Sequence, residues 1–96
     1  MTKEKIVTRV ARETGCSSEV VRQIIGCTFE VIAGAVAGGD KVQFMGFGTF
    51  EPKKRAARTG RNPKTGEAVP IAERMAVSFR AGQPLKNAVA SLPAEQ

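Results

Sequence analysis

Gly46-Phe47-Gly48-Thr49-Phe50-Glu51-Pro52-Lys53-Lys54-Arg55-Ala56-Ala57-Arg58-Thr59-Gly60-Arg61-Asn62-Pro63-Lys64-Thr65-Gly66 is the stretch on which the reading of this chain turns. Apolar residues alternate only at its start; after Pro52 no aliphatic or aromatic residue larger than Ala occurs until Val69. A strand without an apolar face has no core to lie on, but it can pair with a returning strand. Asn62 to Gly66 is dense in turn formers, so the spacing predicts a two-stranded ribbon with its tip there. With about ten residues on each side, it would reach roughly 30 Å. An isolated ribbon is marginally stable in water, so the same residues also fit a solvated loop that becomes ordered on binding.

Charge gives this stretch its partner class. Lys53, Lys54, Arg55, Arg58, Arg61 and Lys64 place six cations in twelve residues without a carboxylate. The chain has 15 basic and 9 acidic residues, so setting these six aside leaves nine of each, and the net +6 is concentrated here. A neutral body with one cationic appendage points to a polyanionic partner.

At 96 residues the chain is one small domain that would gain stability from a partner subunit. Val, Ile, Ala and Phe supply the core, with Leu only at positions 85 and 92. No stretch reads as the ~18 apolar residues of a membrane span, and the first residues lack the layout of a secretion signal, so a cytosolic protein without a membrane partner is expected. Histidine is absent, and Cys16 and Cys27 form no Cys-x-x-Cys pair. The common general base and the usual metal ligands are therefore missing, which argues against an enzyme, a cofactor, a metal site or a small-molecule substrate. The two cysteines read as reduced, small apolar residues.

Around the ribbon, the pattern predicts helix, helix, three strands and helix. Thr2 caps a first helix through Val10 and Ala11, closed by Thr14-Gly15. Ser17 or Ser18 caps a second, running to about Ala37. At 100° per residue its apolar positions form two stripes, Val20, Ile24, Cys27, Val31 and Val21, Ile25, Ile32, Val36, with Phe29 extending the arc. That sector exceeds the ~100° needed for one core, so one stripe should pack on its own subunit and the other on a second copy. Gly26 and Gly34 suggest close backbone approach. Lys41 to Phe44 alternates as a strand, Gly46-Phe47-Gly48 turns with positive φ, and Thr49-Phe50-Glu51 begins the next strand. Val69, Ile71, Met75, Val77 and Phe79 line one face of the return, and Pro84 opens a last helix that Pro93 ends, with Leu85, Ala88, Val89 and Leu92 on its apolar face.

Gly46-Phe47-Gly48-Thr49-Phe50 followed by Arg55-Ala56-Ala57-Arg58-Thr59-Gly60-Arg61-Asn62-Pro63-Lys64-Thr65-Gly66 resembles the signature of the bacterial HU/IHF family of histone-like DNA-bending proteins, and HU within it. Gly39-Asp40-Lys41-Val42 and Phe79-Arg80-Ala81-Gly82 extend the likeness over most of the chain. The resemblance implies an α+β intertwined homodimer: two N-terminal helices, a three-stranded antiparallel sheet with a long protruding β-ribbon arm, and a C-terminal helix. Residues 1–51 and 76–93 would form the body, 52–75 the arm and 94–96 a tail. Lys53, Lys54, Arg55, Arg58, Arg61, Asn62, Pro63 and Lys64 would meet double-stranded DNA in its minor groove, with Pro63 as the intercalating wedge. Lys3, Lys41, Arg74, Arg80 and Lys86 are candidate phosphate contacts on the flanks. Ile25, Phe29, Ile32, Phe44, Phe47, Phe50 and Phe79 would form the shared dimer core. A location on the bacterial nucleoid follows from the same resemblance. Two alternatives stay open: a sequence-specific heterodimer subunit of the IHF type, and an RNA-binding protein. The chain departs from the family pattern at Val69-Pro70-Ile71-Ala72, where many relatives carry Ile-Pro-Ala, and at Gln83, where relatives are often basic.

Overall fold

Thr2 starts the first helix by accepting the Lys5 N–H at 3.4 Å on its hydroxyl oxygen, in a computed structural model that describes residues 1–93. Residues 94–96, expected to form a tail, lie outside the described residues. Helix α1 (Lys3–Thr14) ends at Gly15, whose φ of 77° is left-handed and whose N–H donates to the Ala11 carbonyl at 2.9 Å. Ser17 is the residue that caps α2 (Ser18–Ala37), its Oγ accepting the Val20 N–H at 3.2 Å. The chain divides into two compact units, Met1–Ala35 and Val36–Gln96.

The two stripes of α2 separate as their spacing predicts. Val21 is buried, with Ile25, Ile32 and Val36 half-buried, whereas Val20, Ile24 and Val31 remain 45%, 57% and 66% exposed and Phe29 60%. Among the described residues, Val7 of α1 and Val21 are the only buried large apolar side chains.

One expectation about α2 is corrected. By length and composition alone it is apolar enough to cross a membrane, with a mean hydropathy of 1.6, because Ala and Cys add to the average set by Val, Ile and Phe. Within one chain its glycines meet no backbone of another element among the described residues. The nearest atom to a Cβ built on Gly26 is the mobile end of Lys3, at 3.8 Å, and nothing lies within 4 Å of one on Gly34.

In the second unit the expected three-stranded sheet and ribbon are formed by five strands: β1 (Val42–Phe44), β2 (Gly48–Arg55), β3 (Arg58–Arg61), β4 (Ala68–Ile71) and β5 (Arg74–Ala81). β2 pairs antiparallel with both β1 and β5 in a three-stranded sheet, and β3 with β4 in a two-stranded one. The extra strands arise because hydrogen bonding lapses at Ala56-Ala57 and at Ala72-Glu73. The offset survives the lapse, since Arg55 opposite Arg74 is followed three residues later by Arg58 opposite Ile71. Both sides carry the same number of residues through the lapse, so the offset is kept, while the bonded pairs change phase across it, falling at odd positions of β2 and even positions of β3.

Both prolines in the strands of the ribbon fit this register. At the tip the Asn62 N–H donates to the Glu67 carbonyl at 2.9 Å, and alternation from that pair leaves Pro70, opposite Thr59, between bonded pairs. At the base the Gly82 N–H donates to the Phe47 carbonyl at 2.7 Å, and counting from there leaves Pro52, opposite Val77, between bonded pairs too. Each missing N–H therefore points away from the partner strand and removes no ladder bond.

The β1–β2 turn uses its glycines differently from expectation. Phe47 N–H donates to the Phe44 carbonyl at 2.9 Å, and Gly46 takes a φ of 85°, as the third residue of such a turn requires. Gly48 is needed for space instead: a Cβ there would lie 2.4 Å from the Phe79 ring and 2.9 Å from the Arg80 carbonyl oxygen. Phe79 also stacks at 4.8 Å on Phe50 and 5.7 Å on Phe47. Helix α3 (Gln83–Ala90) follows with Pro84 in its first turn, and ends at Ser91, before Leu92 and Pro93.

Candidate nucleic-acid interface

The tip is built by backbone and side chain together. Gly66, at φ 75°, donates its N–H to the Asn62 carbonyl at 2.7 Å, and Asn62 Oδ1 accepts the Lys64 N–H at 2.9 Å. Arg61 Nη1 donates to the Gly66 carbonyl at 2.9 Å, and Thr65 Oγ1 accepts the Glu67 N–H at 3.2 Å. Pro63 stands exposed at the turn with none of these bonds depending on it. The side chain of Asn62 is thus occupied in shaping the tip, and Arg61 braces it from one side.

Behind the tip, Lys53, Lys54, Arg55, Arg58, Lys64 and Arg74 are exposed. Lys54 faces Glu73 at 3.3 Å; the others have no carboxylate within 4.0 Å among the described residues. Arg55 and Arg74 are direct cross-strand neighbours. A ribbon of paired backbone carrying unpaired cations has a field that only an external anion can satisfy.

The flank residues divide. Lys41 and Arg80 lie 4.0 Å and 3.9 Å from the two oxygens of Glu51, a carboxylate only 21% exposed. Lys86 is exposed on α3 without an ion pair among the described residues, and Lys3 reaches over Gly26 of α2 in the first unit. Of the aromatic residues expected to share a core, Phe47, Phe50 and Phe79 meet within the chain, and of these only Phe50 is half-buried, Phe47 and Phe79 staying exposed as Phe44 and Phe29 do.

Sequence reasoning missed Glu51, Glu73 and Gly60. The two carboxylates hold three of the candidate cations; a signal existed only for Glu51, the acid just before the cation run, since Glu67 and not Glu73 is the next acid after it. Gly60 gives room to Ile71, whose Cδ1 would lie 2.7 Å from a Cβ there, a packing fact that no spacing rule carries.

The family model described as bacterial DNA-binding protein matches residues 1–90. The chain belongs to this family. DNA-binding protein HU-1 of Halalkalibacterium halodurans is 45% identical over 89 residues, covering 93% of this chain and 99% of that protein. Integration host factor subunit alpha of Aliivibrio fischeri is 38% identical over 96 residues, covering 100% of this chain and 98% of its own. Among solved structures, an Anabaena HU–DNA cocrystal structure aligns with a TM-score of 0.88 at 37% identity, covering 96% of this chain and all of that one. HU from Thermotoga maritima aligns at 0.66 with 29% identity, covering 93% and 98%. Family membership thus spans both units of the chain, the ribbon included.

Proposed function

We propose that this chain is an architectural DNA-binding protein that works as a dimer, embracing duplex DNA with two arms and bending it with little sequence preference. One observation carries the reading: a two-stranded ribbon presents unpaired arginines along its length and an exposed proline at its tip. A ribbon of this width can enter a groove, arginine suits phosphates and groove acceptors, and a rigid apolar tip can wedge into a base step. Residues 52–75 act as the arm, Lys53, Arg55, Arg58, Arg61 and Lys64 hold the DNA, and Pro63 kinks it. Asn62 contributes by keeping the tip in shape. Because the minor groove displays a degenerate pattern, deformability rather than base identity guides binding. The setting is the cytoplasmic nucleoid.

Dimerisation is supported by the exposed stripe Val20, Ile24, Cys27, Val31 and by Phe29 and Phe44, which one chain leaves in water. Apolar area of that extent is stabilised by burial at about 25 cal/mol per Å². The relative named integration host factor subunit alpha keeps a sequence-specific heterodimer as the second reading.

DNA titration at several salt concentrations, with molecular mass measured in parallel, tests both parts. The reading expects a dimer whose affinity falls steeply with salt, by about 0.9 in log K per log salt for each phosphate contact, and equally across unrelated duplexes. A monomer, or binding indifferent to salt, would remove it. Affinity confined to one sequence would favour the heterodimer subunit.

A further inference from the structure

Outside the six cations of Lys53 to Lys64 the charges of the chain balance, but they are unevenly distributed. Lys5, Arg9 and Arg12 recur at helical spacing on α1 and, with Met1, Glu4 and Thr8, line a shallow open depression of about 350 Å³. None of the three has a carboxylate within 4.0 Å among the described residues. Glu4, the acid in their midst, is committed elsewhere: its two oxygens accept from Arg22 Nη2 at 2.8 Å and Nε at 3.1 Å. Thr8 is committed as well, its hydroxyl donating to the Glu4 carbonyl at 3.0 Å. Glu13 is the other carboxylate of this helix, four residues from Arg9, and it too stays beyond 4.0 Å of the three cations.

This arrangement works against the helix that carries it. Lys5 and Arg9 are like charges one turn apart, and Lys5 near the N-terminus opposes the helix dipole, whereas Arg12 in the last turn complements it. An anion laid along the row would relieve both effects. The depression is open and offers no buried polar side chain, which does not suit a small enclosed ligand. Its cations span about 10 Å along the helix axis, at 1.5 Å per residue, which suits an extended polyanion carrying a charge about every 3.4 Å per strand.

We propose that the Lys5–Arg9–Arg12 face of α1 binds the phosphate backbone of a second DNA duplex, so that the protein holds one duplex with its arms and another against its body. The inference rests on the DNA-binding reading above. It assigns to α1 a role that the arm does not require.

Capture between two duplexes tests it. One short duplex is fixed to beads, a second carries a fluorophore, and retention of the second by the full-length protein is measured. Binding of a single duplex is followed separately by anisotropy. The triple variant Lys5→Gln, Arg9→Gln, Arg12→Gln uses good helix formers and keeps α1. It should bind a single duplex as the wild type does, yet lose capture, with a capture slope against log salt shallower by about 2.7 for three lost contacts. The charge-preserving variant Lys5→Arg, Arg9→Lys, Arg12→Lys should restore capture and separates charge from folding. Capture by the Gln variant equal to wild type overturns the proposal. So does an equal loss of single-duplex affinity, which would make α1 part of the arm's own site, or capture of duplex RNA in place of DNA. Failure of the wild type to bind even one duplex would instead overturn the DNA-binding reading itself.

Discussion

Arg55 and Arg74 stand directly opposite each other as the last pair of β2 and β5, where the ribbon leaves the three-stranded sheet. Like charges in this position destabilise a strand pair by up to about 1 kcal/mol. One residue earlier Lys54 has Glu73 at 3.3 Å, so the sequence relieves one cation here and leaves the arginine pair unrelieved. An anion bound beside the pair would relieve this repulsion. Arg74→Gln should raise hydrogen-exchange protection at the arm base in the free protein while weakening DNA binding, with the salt slope reduced by about 0.9 per lost contact. Lower protection together with unchanged affinity would show that the two arginines are merely solvated.

Pro63 makes a separable contribution. The tip is closed by Gly66 N–H to Asn62 and by Lys64 N–H to Asn62 Oδ1, and Pro63 donates to neither. Pro63→Ala should therefore keep the turn and most of the affinity but lose the wedge. Fluorescence transfer between dyes on the ends of a short duplex should report a smaller bend at saturating protein. A bend equal to wild type would leave the arginines as the bending agents.

Most of this architecture was legible from local rules, because its helices and turns are set locally. Thr2, Gly15 and Ser17 sit at the boundaries that capping chemistry predicts, and the 100° spacing of α2 sorted Val21 from Val20 before any packing was known. What escaped was non-local. Whether Gly48 serves conformation or space depends on Phe79, thirty-one residues away, and the halves of the ribbon were divided by a lapse in pairing that alternation alone does not mark. The candidate cations were legible by charge, but not their partners. Glu51 between Lys41 and Arg80 becomes visible only once β2 and β5 are side by side.

The Glu4–Arg22 pair ties α1 to α2 and makes a pH prediction. Its hydrogen bonds to Arg22 lower the Glu4 carboxyl below the usual value of 4.5. A depressed acid stabilises the fold above its unfolded pKa, and that stabilisation is lost as pH falls through the folded value. Glu4→Gln should therefore be less stable than wild type at neutral pH in low salt, and the two should converge as pH drops below 4.5. Because both side chains are largely exposed, added salt should shrink the difference. A gap that persists in acid would mean that Glu4 acts through something other than its charge.

Gly48→Ala tests the packing at the centre of the second unit. The added methyl would stand 2.4 Å from Phe79 Cζ and 2.9 Å from the Arg80 carbonyl oxygen. The ring can tilt, but it is stacked on Phe50 and Phe47, and the carbonyl belongs to the β2–β5 ladder, so neither yields freely. Overpacking of this kind costs about 1–3 kcal/mol. Gly46→Ala in the neighbouring turn should also destabilise, but by strain at a φ of 85° rather than by collision, since nothing lies within 4 Å of its Cβ. The two mechanisms separate on a second substitution. Phe79→Leu should recover part of the loss in Gly48→Ala by vacating the ring's position, and none of the loss in Gly46→Ala. Denaturant unfolding of the two double variants at matched protein concentration measures this, and equal recovery in both would reject the collision.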